Sequence, residues 1–349
     1  LIENDYKHYQ NTFLQFLLCL FLLSGCTTHN VQYVPLPQLP LGAINLRVAY
    51  VINPRLPRMS SEQLQRLLLA TQIASQQHFG VTLKFLPVEE IPISTFFLQI
   101  PDDRRKQAQD AIFDFKTGKG DVGRLNKDFA EGLKEWSAPL PEIEQFARPY
   151  IGELKEHNFD ALGTALAKLQ LNRIEHWKNI KALDGDSIID TSPYNEFTMW
   201  VALGYGDIPF EVVITNQPLV SVEYVHPAVH TAIRGGYSNG VTTYNKLSHY
   251  GTMSIWSTFA FTTDDAWVKE MRDGESYSAE DAATFAGISM AHEIGHQLFH
   301  YGHPLNHSAC IMNPISLFSY RAWAEKLSAK DCPVGSNPAM QPGAARLAF

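Results

Sequence analysis

The sequence has no apolar stretch long enough to cross a bilayer as a mature helix. It also lacks long basic runs, and its 349 residues carry a formal charge of −8, so nothing points to nucleic acid as a partner. No internal repeat is visible. Cysteine is scarce, and two of the four fall within the first 26 residues. The remainder is too poor in thiolates to close a structural metal site with them. What the chain does have is 45% hydrophobic content, enough over this length for one large domain or two smaller ones.

The N-terminus reads as a targeting segment. Phe13 to Leu23 is an apolar run of signal-core length broken only by Gln15, with Lys7 ahead of it against Glu3 and Asp5. The following Leu23-Ser24-Gly25-Cys26 resembles the lipobox of bacterial lipoproteins. That resemblance implies a signal peptide over 1–25, acylation of Cys26, export, and attachment to the membrane through lipid. Thr27 stands where an acidic residue would retain the protein at the inner membrane, which implies the outer membrane, facing the periplasm. A simple secretory signal or a buried helix are the bland readings. Residues 26–43, with Pro35, Pro37 and Pro40, read as an extended tether to a body spanning 44–349. Export also leaves Cys310 and Cys332 as an even pair in an oxidising compartment, hence a disulfide. The rival reading is a free Cys310 thiol.

The chemistry is concentrated in His292-Glu293-Ile294-Gly295-His296. Histidines four apart on a helix share one face and can grip a single metal ion, and Glu293 between them can act as a general base. Alone, the pattern could arise by chance on an amphipathic helix in a chain with 13 histidines. Its surroundings favour a metal. Ser278 to His300 reads as one helix capped by Ser278, with small residues Ala286, Gly287, Ser289 and Ala291 permitting close packing, and Gly302 placed to end it. His303, His307 and Cys310-Ile311-Met312-Asn313 follow.

This arrangement resembles the metzincins, above all the archaemetzincin and adamalysin branches, whose pattern is H-E-x-x-H-x-x-G-x-x-H followed by a Met-turn. The resemblance implies an α+β, zincin-like (metzincin) catalytic domain with a mixed β-sheet and an active-site helix. It further implies one Zn²⁺ per chain, Met312 as the floor of the metal site, and a protein or peptide substrate. One departure stands out. The family's glycine falls on Phe299 and its third histidine on Gly302, so His303 comes one residue late. His303 is the first candidate for third ligand and His307 the alternative; His300 continues the helical row but diverges from the metal, and Glu325 would serve in a thermolysin-like arrangement.

Along the rest of the chain, Ile44 to Ile52 reads as a strand, Ser60 or Ser61 caps a helix through about His78, and Val81 to Val88 is a second strand. This is a βαβ start with parallel strands. From about 101 to 185 helical periodicity takes over, at 102–114, 124–136, 141–157 and 159–181, a large helical insertion that serves as a lid or as a structural cover. Phe210 to Ile214, Leu219 to Val225 and Gly251 to Phe261 read as strands, and Ser316 to Lys330 as a closing helix. By analogy with zincins, the substrate-binding edge strand falls at Gly236 to Thr243, including Tyr237, Ser238, Asn239 and Gly240. His226 and His230, separated by Pro227 and without an acid, read as surface or core residues. Tyr301 and Tyr320 are candidates to assist an oxyanion. The implied activity is zinc-dependent endopeptidase; the competing class is an inactive lipid-anchored binding protein on the same scaffold. Oligomeric state is not legible.

Overall fold

A computed structural model describes residues 33–110, 125–136, 138–191, 194–220, 228–332 and 334–347. The signal segment and Cys26, His226, and the ends of two predicted elements at 111–124 and 221–225 lie outside the described residues. The expected first strand is two: β1 (Ile44–Leu46) and β2 (Val48–Ile52). The break sits at Arg47, whose backbone N–H leaves the ladder to donate to Glu211 Oε2 at 2.8 Å while its guanidinium grips the same carboxylate. A ladder donor spent on a side chain lets the chain change sheets at that point.

Helix α1 (Ser61–Phe79) follows. Ser60 caps it through a capping box with Gln63, and Gly80, at φ 71°, ends it in the left-handed conformation. The chain returns through β3 (Leu83–Phe85), parallel to β1, and β4 (Glu89–Pro92), parallel to β2. The main sheet has the order β4-β2-β5-β9-β8, with β5 (Val212–Thr215) and β9 (Thr252–Ser257) parallel to β2 and β8 (Gly240–Tyr244) antiparallel at the edge. The sheet is therefore mixed.

Period-two alternation splits these strands between two cores. Val48, Tyr50, Val212, Ile214 and Trp256 point to the face covered by α1 and the helix that carries His292 and His296. Ala49, Val51, Val213, Met253 and Ile255 pack against Phe96, Phe97, Trp200 and Leu203 on the other face. The expected strand to Phe261 stops at Ser257, where Phe261 and Thr262 N–H turn back onto Thr258 O and close a helical turn.

The helical stretch contains α2 (Asp102–Asp110), α3 (Leu125–Lys134), α4 (Leu140–Ile151) and α5 (Phe159–Asn179). Helix α4 ends earlier than its pattern suggested because Pro149 cannot donate to the ladder and Gly152, at φ 73°, turns the chain. Beyond Met312, the expected helix shrinks to Tyr320–Ala324. Phe318 N–H donates to Met271 O and Tyr320 N–H to the Tyr277 hydroxyl, so these donors are not available to a helical ladder.

Candidate metal centre

The site is built on helix α7 (Ala279–Phe299), an apolar helix buried between α1 and the sheet. Ser278 caps it by accepting from Asp281 N–H at 3.0 Å. Gly287 is the point of closest approach: a methyl group there would stand 2.2 Å from Leu67 O of α1, and Thr71 Oγ1 donates to Gly287 O across the contact. A rigid, doubly covered helix holds His292 and His296 one turn apart on one face.

The helix does not end at Gly302. It ends at Phe299, and His300 takes the left-handed position at φ 51°, with its N–H bonded to His296 O at 3.0 Å. Histidine enters this region more readily than most side chains. Gly302 N–H instead meets Ala339 O at 2.7 Å. The turn and His303 have thus both moved one residue later than in the metzincin pattern, and the distance between them is kept. Near the front of the site, Gly295 lets Met312 lie against the helix, since a methyl group there would stand 2.4 Å from its sulfur. Asn313 donates to Pro304 O and Leu305 O, both at 2.9 Å, tying the Met-containing turn to the loop that carries His303. Cys310 and Cys332 form a disulfide behind it.

His292, His296 and His303 form a cluster able to hold a metal ion. Their Nε2 atoms make a triangle with edges of 3.0, 3.0 and 3.1 Å. The Nδ1 atoms of His292 and His296 face the carbonyl oxygens of Ile311 and Tyr301, at 2.8 and 2.5 Å. Carbonyls only accept, so both protons sit on Nδ1 and both Nε2 atoms turn bare lone pairs inward. Lone pairs facing each other at 3.0 Å repel, and a cation is what satisfies them. A triangle of this edge also fits the ion, because its corners lie closer to its centre than a Zn–N bond of about 2.0–2.1 Å. Burial lowers the pKa of all three, that of His296 to about 4, which keeps them in the neutral form that binds metal. His307 is not in the cluster; its backbone closes turns with Pro304 O and Cys310 N–H.

Glu293 is buried and lines a cavity together with His292, His230, Arg234, Pro314 and Ile315. Burial pushes its carboxyl up to about 8, against a hydrogen bond from the Thr242 hydroxyl at 3.3 Å and the charge of Arg234. A cation at the histidines would act in the opposite sense. Gly240 makes room for this carboxylate, since a methyl group there would stand 2.8 Å from Glu293 Cδ.

The expected edge strand is corrected in its first half. Tyr237–Ser238 (β7) pairs with Leu219–Val220 (β6) in a separate two-stranded sheet, and the edge strand β8 starts at Gly240. Gly235 and Gly236, at φ 67° and 87°, turn the chain just before, and Asn239 is held by Arg234 and the Tyr320 hydroxyl. The two tyrosines are not at the cavity wall. Tyr301 stacks on Phe299 in a core cluster, and Tyr320 is fully buried. Glu325 lies outside the histidine cluster.

Two site residues escaped the sequence. His230, on the short helix α6 (Val229–Ile233), lies edge-on to His303 with ring centroids 5.1 Å apart. Trp136, just past α3, comes within 5.6 Å of the same ring. Neither carries a local pattern that marks it; both arrive through tertiary packing.

No family model matches this chain, and no curated protein does. Among solved structures, it is similar to a zinc-dependent peptidase from Methanocorpusculum labreanum (strain Z) at 14% identity, covering 81% of this chain and 97% of that one, with a TM-score of 0.32. A superposition that loose carries no argument about function, so the reading rests on the geometry of the site.

Proposed function

We propose that this chain is a metzincin-type zinc-dependent endopeptidase acting on protein or peptide substrates. In this reading His292, His296 and His303 hold one Zn²⁺ and Glu293 is the general base. The observation that carries it is the convergence of three imidazole Nε2 atoms beside a buried carboxylate in a cavity wall. Bound zinc supplies a Lewis acid for the substrate carbonyl and lowers the pKa of water toward neutrality. Glu293 takes a proton from the attacking water and passes it to the departing amine, the Thr242 hydroxyl holding its Oε2. The carbonyls of Ile311 and Tyr301 fix the ring orientation of His292 and His296. Strand β8, at the sheet edge beside Glu293, offers backbone groups for an extended substrate. We extend the proposal to location: export, acylation of Cys26 and attachment at the outer membrane, supported by the lipobox.

The test uses the soluble form that starts after Cys26, with zinc content by mass spectrometry and cleavage of casein and a peptide library. The wild type is expected to carry one zinc per chain. Glu293→Ala keeps the metal and loses about 10²–10⁴-fold in rate. His303→Ala loses metal, and His307→Ala keeps it. A protein that takes up no zinc and cleaves nothing returns the inactive binding-protein reading.

A further inference from the structure

We propose that His230 is a second catalytic side chain of this centre, donating a hydrogen bond to the substrate carbonyl oxygen as negative charge develops on it. The inference rests on the peptidase reading and deepens it. His230 shares the cavity wall with His292 and Glu293. Yet it stands outside the group whose ligating atoms lie within 4.8 Å of one another, so it is set back from the triangle of Nε2 atoms. A ligand has to reach the metal. A hydrogen-bond donor to the substrate has to stand further off, as a side chain on the same wall but outside that group does.

Its ring chemistry points the same way. Nδ1 is buried without a hydrogen-bond partner. An orphaned buried N–H is the costlier of the two ways to leave that nitrogen, so the proton belongs on Nε2, the nitrogen left to reach the cavity. Two neighbouring polar side chains on the wall are already engaged: Ser238 Oγ donates to Gly240 O at 2.6 Å, and the Arg234 guanidinium donates to Asn239 Oδ1 and Ile315 O. The tyrosines that might have served are buried away from the wall.

The donor is also held still. Helix α6 is gripped from behind by α5, where Arg173 Nη1 donates to Ile233 O and Trp177 Nε1 to Arg234 O at 2.8 Å. Gly235 allows this approach, since a methyl group there would stand 2.8 Å from the Arg173 carbonyl carbon. A donor fixed before the reaction needs no reorganisation when charge appears, which is why such groups count for so much in the transition state.

The experiment compares wild type, His230→Ala and His230→Gln as zinc-loaded proteins. It measures zinc content, kcat and KM on one peptide, and the affinity of a phosphinic peptide whose tetrahedral oxygens mimic the attacked carbonyl. His230→Ala is expected to keep its zinc and its KM while kcat falls about 10²–10³-fold. Phosphinate affinity should fall in parallel, and His230→Gln, which keeps an N–H donor, should recover part of both. A His230→Ala enzyme within about threefold of wild type in kcat overturns the proposal, because a removed oxyanion donor costs far more than that. So does loss of zinc from it, which would make His230 a positioning residue for His303. Failure of the peptidase reading looks different: the wild type itself would neither cleave the peptide nor bind the phosphinate.

Discussion

The two sides of the cavity are made in different ways. The metal side is nearly contiguous in sequence. His292 and His296 lie one helical turn apart, His303 follows the next turn, and the carbonyls that orient them belong to Tyr301 and Ile311. The other wall is assembled from distant segments: α6 with His230, Arg234 just past it, the start of β8 at Gly240, and α5 bracing them from behind. On the first side, local geometry brings the functional atoms together. On the second, packing does, through close approaches that only glycine permits at positions 235 and 240. Disturbing the metal side should therefore cost metal, and disturbing the wall should cost turnover with metal retained.

The largest break expected is Gly295→Val. Its side chain would occupy the space of the Met312 sulfur between the two helical ligands. Overpacking of this kind costs about 1–3 kcal/mol. Urea unfolding should show that loss, and zinc titration a weaker site. Unchanged zinc affinity in a well-folded Gly295→Val protein would mean that Met312 does not support the ligands.

A paired comparison sharpens the contrast. Asn313→Ala removes two hydrogen bonds to the His303 loop, so zinc should bind about 10–100-fold more weakly. Trp177→Phe removes one hydrogen bond to the backbone of Arg234, on the wall, for about 1 kcal/mol of stability. Its zinc affinity should match wild type while kcat falls. If both variants lose zinc equally, the two sides are not separable.

The smallest effect lies outside both. Burial opposes ionisation of Glu211, but hydrogen bonds from Arg47 and from the N–H of His249 outweigh it and hold the carboxyl below the usual range. A depressed carboxylate stabilises the fold fully above its unfolded pKa of about 4.3, and that contribution is lost as pH falls through the lower folded value. The urea midpoint should drop on acidification below about pH 4.3, and Glu211→Gln should flatten that limb. An acid limb identical in both proteins would remove Glu211 from the account.

Much of the metal side is determined by residue order alone. The capping of α1 by Ser60 and α7 by Ser278, the turn at Gly80, and histidines four apart all act within a few residues, where backbone stereochemistry and hydrogen bonding are local. The expected pairing of Cys310 with Cys332 is present. Other features were decided only by tertiary structure. Strand Ile44 to Ile52 splits because Glu211, far along the chain, takes the Arg47 N–H. The closing helix shrinks because Met271 and Tyr277 capture its donors. The helix terminus passes to His300 although Gly302 offers the easier turn, with Gly302 spent on Ala339 O. His230 looked like an ordinary histidine because nothing within its own turn of chain distinguishes it. Its surroundings come from α5, α7 and the Met-containing turn, and a side chain's neighbours across a fold are not written in the residues beside it.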